Sequence, residues 1–303
     1  MPVPMVGREA EQKEIARAWS QLDGCGPRSV VITGEPGIGK SRLVSAVVAG
    51  LTPLAATVLS GAARLHSPAP YDWLASILSR RPARELTIPP DALAWLAQDS
   101  LVPAQRYAPG ALLRLASRAV HQLVGDGPAL LVVEDLHALD PASLSLIAEL
   151  AGDPTLPAML LVTSHPARHG LVARTLARLA GTAGAVRQHL GPLGPAEVAE
   201  IAPPGLAGDL LKRSKGNPYR LCELLAALPS AFTARLTARE QEVLSFLAAG
   251  MSNKQMARSM GISIRTVAVH VSNVLRKTGN TSRTAAAVWA AARLTGSAAD
   301  TPG

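Results

Sequence analysis

Residues 29–50 read SVVITGEPGIGKSRLVSAVVAG. The opening SVVIT is a short, β-branched apolar run of the kind that forms a buried strand. Three glycines follow at once, Gly34, Gly37 and Gly39, and then a helical run that closes at Gly50. Residues without a Cβ let successive backbone N–H groups turn inward, which makes a concave nest for an anion. A helix starting near Lys40 aims its N-terminal dipole at the same place. The stretch therefore sets a loop shaped for phosphate between a strand and a helix. A plain Gly-rich turn would explain the glycines but not their flanks.

The eight residues GEPGIGKS (34–41) fit the Walker A pattern. In that pattern Gly34, Glu35, Pro36, Gly37, Ile38 and Gly39 line the nucleotide. Lys40 reaches the β- and γ-phosphates, the Ser41 hydroxyl ligates Mg²⁺, and Arg42 continues the helix. ATP or ADP with Mg²⁺ is the expected cofactor. A second apolar run, ALLVVED (129–135), ends in Glu134-Asp135. Carboxylates at the C-terminal edge of a sheet can hold Mg²⁺ and orient an attacking water. Acids after a strand are otherwise commonplace as helix caps or solvated turns. The loop upstream favours the metal-binding and catalytic assignment for Glu134 and Asp135.

Further strands are expected at AMLLVTS (158–164) and, more weakly, AVRQHL (185–190). Helical spacing at 8–22 and 110–124 alternates with them, which implies an α/β domain with a parallel sheet. The Pro-rich stretch 51–110 carries helical pieces at 71–80 and 91–98 without a clear order. Residues 196–228 read as helical, interrupted by GNP (216–218).

The C-terminal stretch 236–283 reads LTAREQEVLSFLAAGMSNKQMARSMGISIRTVAVHVSNVLRKTGNTSR. Thr237-x-x-Glu240 and Ser252-x-x-Gln255 are capping boxes that open two helices. Gly261 suits a left-handed C-cap, and Ser263 caps a third helix over 264–277, about 21 Å long at 1.5 Å per residue. Such a helix fits a DNA major groove. Val267, Val271, Val274 and Leu275 form its inner stripe. The charge agrees. Residues 235–294 hold nine Lys/Arg against two acids, Glu240 and Glu242, so +7 of the chain's +8 sits in this stretch. A basic module on a nearly neutral body is the footprint of nucleic-acid binding.

Residues 236–283 resemble the DNA-binding domain of the LuxR family almost position for position. The N-terminal part is similar to the STAND-type ATPases, including the MalT-like branch of LuxR regulators. That resemblance rests on VGREAE (6–11), the Walker A loop, EDLHALDPAS (134–143) and GNPYRLCELL (216–225). It implies that Gly7 and Arg8 lie against the adenine and that Pro218 sits near the base. It implies phosphate contacts from Lys254, Thr266 and Lys277, and base-facing positions at Ala268, Val269 and Ser272. Arg265, His270 and Arg276 complete the DNA-binding set, with His270 read as packing or phosphate-contacting. The last helix, 282–294, pairs two domains on a palindromic site in relatives. Double-stranded DNA is thus the expected partner, with a homodimer or nucleotide-dependent oligomer and contact with RNA polymerase.

The chain also departs from those patterns. Glu134 stands where relatives carry Asp, and His165 stands at an expected Arg that senses the γ-phosphate. Ala268 and Ser272 replace lysines common in relatives. ATP binding with slow or absent hydrolysis is the expectation.

The 303 residues divide on this reading into an ATP-binding domain with a helical lid (1–228) and a helix-turn-helix domain (232–296), joined through Leu228–Thr237 without a helical-repeat sensor. With 48% hydrophobic and 17% charged residues, both can build a core. No apolar run approaches a membrane span, and the N-terminus turns acidic where a signal peptide needs its apolar core. Cys25 and Cys222 form no disulfide or zinc pattern, so a reduced, cytoplasmic setting is expected. The rival readings are a constitutive DNA binder with a vestigial nucleotide site, and a P-loop ATPase with an accessory DNA domain.

Overall fold

The structure, a computed structural model, describes residues 5–22, 26–63, 69–80, 86–99, 107–203, 205–227, 236–278, 280 and 282–296. The chain forms two compact units. One comprises Ala10–Pro36 and Leu43–Leu190, the other Met1–Glu9, Gly37–Arg42 and Gly191–Gly303.

The first unit is built on a five-stranded, all-parallel sheet. Its strands are β1 (Arg28–Gly34), β2 (Thr57–Ala62), β3 (Ala129–Glu134), β4 (Ala158–Ser164) and β5 (Val186–Leu190), in the order β2-β3-β4-β1-β5. All seven residues of β4 and the first five of β3 are buried, which is why they read as continuous apolar runs. The helices of this unit, apart from Glu9 and Lys40–Arg42, which fall in the other, are α1 (Glu9–Ser20), α2 (Lys40–Gly50), α3 (Asp72–Leu78), α4 (Pro90–Leu96), α5 (Pro109–Val124), α6 (Pro141–Ala151) and α7 (Gly170–Ala180). Leu131, Val133, Leu160 and Val162 share one core with Trp73, Ala116, Ile147 and Leu179.

Strand β2 lies in the region the sequence left unordered. Its TVLSGA sequence lacks a long apolar run, and only Leu59 and Gly61 are buried. Gly61 is there because α3 presses close: a Cβ would fall 2.6 Å from the Trp73 ring and from its carbonyl oxygen. The Trp73 indole donates to the Val132 carbonyl at 3.0 Å and fixes that approach. Nearby, the buried Asp140 carboxylate caps α6, accepting from the Ala142 and Ser143 amides and the Ser143 hydroxyl. It also accepts the Tyr71 and Asp72 amides, at 3.0 and 3.2 Å. One side chain thus ties α3 to α6.

Because the strands are parallel, their C-terminal ends share one edge. The register sets Thr33 beside Ser164, Gly34 beside Leu190, and Val133 beside Val162. Gly34, Glu134 and Ser164 therefore leave the sheet along the same edge.

The second unit is helical: α8 (Pro195–Ile201), α9 (Ala207–Ser214), α10 (Pro218–Ala226), α11 (Ala238–Ala248), α12 (Asn253–Met260), α13 (Ile264–Thr278) and α14 (Arg283–Gly296). A single core runs from Val6 and Leu193 through Val198, Leu221 and Leu225 to Val243, Val267 and Trp289. Helix α14 packs on α11 and α13 and equally on α8 and α10, so Ala285–Ala290 are all buried. The sequence divided these helices between two domains at 228–232, a joint outside the described residues. Their apolar faces nevertheless close one core. No described helix is long and apolar enough to cross a membrane.

Candidate functional site

The loop after β1 has the backbone that its glycines imply. Gly37 has φ 74° and Gly39 φ 98°, a region that L side chains rarely adopt. A Cβ at Gly39 would meet nothing within 4 Å, so backbone conformation and not crowding requires glycine there. Lys40 begins α2 and is only 7% exposed, while Ser41 beside it is exposed. A left-handed loop, open space beside Gly39, a buried lysine and a helix N-terminus together suit a phosphate with its counter-cation.

Within the helical unit, Asn217 and Tyr219 lie beside Gly37, while Gly7 and Arg8 meet Glu197 and Gly191. Asn217 caps α10 by accepting the Arg220 amide at 3.2 Å, and Pro218 occupies the first helical position. The Tyr219 amide donates to the Gly37 carbonyl at 3.1 Å. Gly7, at φ 67°, leaves its Cβ space to the Glu197 side chain, and the Arg8 guanidinium donates to the Gly191 carbonyl. Burial lowers the Arg42 guanidinium from its ordinary value, with the Cys222 thiol opposing. Burial raises the Cys222 thiol, and Arg42 opposes it in turn.

At the sheet edge, Glu134 is half-buried and Asp135 exposed. Asp135 takes φ 50°, unusual for a residue with a side chain, and its amide donates to the Thr163 hydroxyl at 3.0 Å. The imidazoles of His137 and His165 stack at 3.8 Å with 25° between their planes. The His165 amide donates to Nδ1 of His137 at 3.2 Å, which requires that nitrogen to be unprotonated. The position where the resemblance expects a γ-phosphate arginine thus carries a short ring engaged with a second ring. The sequence showed both histidines after strand ends, but not that they meet. Among the described residues no cluster of three His, Cys, Asp or Glu could hold a metal unaided. Mg²⁺ in such a loop takes phosphate oxygens together with one or two protein oxygens.

The C-terminal helices carry the expected caps. Both capping boxes are formed, Thr237 with Glu240 and Ser252 with Gln255. Gly261 is left-handed at φ 66°, and Ser263 accepts the Thr266 amide at 3.0 Å. Helix α13 buries Val267, Val271 and Val274 and leaves Arg265, Thr266, Ala268, Val269, Ser272 and Arg276 exposed. Val269 is 55% exposed, a β-branched apolar residue with no core to fill. Lys254 is exposed on α12, and His270 is half-buried. Lys277, which the resemblance assigns to a phosphate, has a partner within the chain: its ammonium lies 2.7 Å from the buried Glu240 carboxylate. The bond from Lys277 and those from Thr237 hold the Glu240 carboxyl down at about 2. The face of α14 that the resemblance assigns to pairing two domains is filled within the chain, by α8 and α10.

Residues 4–162 match the AAA ATPase domain family. The chain belongs to that family. Residues 234–290 match a second family, the bacterial regulatory proteins of the luxR family, so an AAA ATPase domain precedes a LuxR-type module. Over 95 residues the chain is 40% identical to the nitrate/nitrite response regulator protein NarP of Escherichia coli, covering 31% of this chain and 44% of that one. It is 36% identical over 85 residues to NarL of the same organism, covering 27% and 39%. The chain thus spans less than half the length of these curated relatives. Among solved structures, the Aeropyrum pernix ORC1 protein in complex with DNA superposes with a TM-score of 0.52 at 15% identity, covering 91% of this chain and 85% of that one. That likeness is one of fold, and it fits the AAA assignment.

Proposed function

We propose that this chain is a DNA-binding transcription regulator whose AAA domain binds ATP or ADP with Mg²⁺ and thereby sets the activity of the LuxR-type helices. The observation that carries this reading is a pairing in one chain: a left-handed glycine loop with a buried lysine, and a helix-turn-helix whose third helix keeps its outer face exposed. In this reading the 34–41 loop is a Walker A loop of STAND type. Backbone N–H groups of Gly37 to Lys40 surround the phosphates, Lys40 neutralises them, and Ser41 with Glu134 or Asp135 holds the cation. Bound Mg²⁺ would draw charge from the β- and γ-phosphates. Gly7, Arg8 and Pro218 take the base side.

On the DNA side, Arg265, Val269 and Ser272 face the groove floor, with Ala268 against a thymine methyl. Lys254, Thr266 and Arg276 meet phosphates. Lys277 acts first as the partner of Glu240, which fixes the end of the recognition helix. The expected target is a promoter or operator duplex, bound by a dimer or nucleotide-dependent oligomer that contacts RNA polymerase.

The stacked histidine pair favours a site that binds more than it turns over. An imidazole is too short to reach where an arginine would, and removing such an arginine costs on the order of 10³-fold or more in rate. Steady-state phosphate release is expected below about 1 per second, under the usual enzyme median. Titration calorimetry with MgATP tests the loop: Lys40→Ala should weaken binding by about 100-fold, the loss of a charge-assisted contact. DNA affinity without nucleotide should stay unchanged. Equal ATP affinity in the variant would remove the phosphate assignment.

A further inference from the structure

Helix α10 is only nine residues long, yet it touches both halves of the function. The first four N–H groups of any helix lack partners inside it. In α10 the Arg220 amide is taken by the Asn217 side chain, but the Tyr219 amide is taken by the carbonyl of Gly37, in the phosphate loop. There is no slack at this junction. A Cβ on Gly37 would lie 2.7 Å from the Tyr219 Cβ and 3.0 Å from Asn217 Oδ1. Three residues further along, Cys222 lies within electrostatic reach of Arg42, at the start of α2.

The other side of α10 belongs to the shared core. Leu221 and Leu225, spaced by four residues, are buried with Ala286, Ala287 and Trp289 of α14. Helix α14 in turn packs on α11 and α13. A close-packed interior passes displacement from element to element and does not absorb it.

We propose that α10 is the coupling element between the phosphate loop and the recognition helix, acting through the Gly37–Tyr219 hydrogen bond at one end and the α10–α14 packing along its side. The inference rests on the reading that the 34–41 loop holds a nucleotide. A loop gripping phosphate fixes the orientation of the Gly37–Ile38 peptide, and the same peptide carries the carbonyl that caps α10. Loop occupancy therefore changes whether the first turn of α10 is capped, and α10 carries α14 with it. By reciprocity, DNA binding must alter nucleotide affinity by the same factor.

The test uses the full chain, MgATP, and a duplex enriched from a random pool by the wild-type protein. MgATP binding and DNA binding are each measured directly, then each in the presence of the other. Saturating MgATP should change the DNA dissociation constant by about ten-fold, in the usual range of such couplings. The control Tyr219→Phe keeps the amide and loses only the phenol that bonds Glu223, so it should keep full coupling. Tyr219→Pro removes both the phenol and the amide donor, proline being tolerated in a first helical turn. It should leave each separate affinity intact and reduce the coupling to about two-fold, as loss of one net hydrogen bond would. Full coupling in Tyr219→Pro, or a factor of one in wild type while both ligands bind, overturns the proposal. Failure of wild type to bind MgATP at all would instead remove the nucleotide reading itself. Hydrogen exchange on the wild type gives a second route. Adding MgATP should change protection at 37–42, 218–226 and 283–291 together, and a change confined to 37–42 overturns the coupling.

Discussion

The sheet unit and the helical unit close their cores by different rules. In the sheet unit, three strands of the core also carry part of the expected site at their ends: β1 the loop, β3 the acids, β4 His165. In the helical unit the core draws Val6, Leu193, Leu225 and Trp289 from pieces that the sequence motifs assign to separate domains. Motif boundaries and core boundaries are thus different things. A motif records which residues meet a ligand. A core records which apolar faces had nowhere else to go.

The most forceful way to break this comparison is at Trp289, which is 1% exposed in the shared core. Trp289→Ala should cost about 3–5 kcal/mol. In denaturant unfolding followed by hydrogen exchange, helices α8–α10 and α11–α14 should lose protection together. Persistence of α8–α10 at wild-type protection would show that the core is really two. Leu131→Ala in β3 is the control, costing about 2–5 kcal/mol. Its effect should fall on the sheet alone and leave α11–α14 with their native exchange rates.

A smaller effect separates the two units by pH. The Glu240 carboxyl is depressed from its ordinary 4.5 to about 2, chiefly by Lys277, so its contribution is present above pH 4.5 and disappears as pH falls towards 2. The melting temperature of wild type should exceed that of Lys277→Met by a constant margin above that range, and the gap should close below it. A margin that persists at the lowest pH would mean that Lys277 stabilises by packing alone. The smallest expected change lies on the exposed face of α13. Val269→Ala should alter discrimination between a selected and a scrambled duplex by about 1 kcal/mol. Arg276→Ala should instead weaken both duplexes alike and lower the salt slope by about one unit. An unchanged ratio for Val269→Ala would turn the groove-facing side elsewhere.

Much of this architecture was legible because local chemistry and tertiary role coincided. Strands β3 and β4 are buried on both sides, so they read as apolar runs, and the boxes at Thr237 and Ser252 close within four residues. What stayed hidden depends on partners distant in sequence. Strand β2 owes its place to Trp73 against Gly61, and a Gly in a weakly apolar run gives no local signal of that. The His137–His165 stack and the Gly37–Tyr219 bond join residues 28 and 182 positions apart. For α14 a signal existed. Its unbroken AAAVWAAA is apolar on every side, as befits a helix covered from two directions.

Asp140 shows how an isosteric change can cut one tie at a junction and spare the rest. Its two oxygens face only donors: three amides on one, an amide and a hydroxyl on the other. Asparagine has the same outline but must place an NH₂ on one side or the other. With its oxygen towards the three amides it keeps those bonds, but its NH₂ then meets the Asp72 amide hydrogen to hydrogen, while the Ser143 hydroxyl can turn to accept. Alanine would leave a small void that water could reach and furnish. At this position a single exchange of oxygen for nitrogen would turn the Asp72 amide of α3 away while leaving the cap of α6 in place.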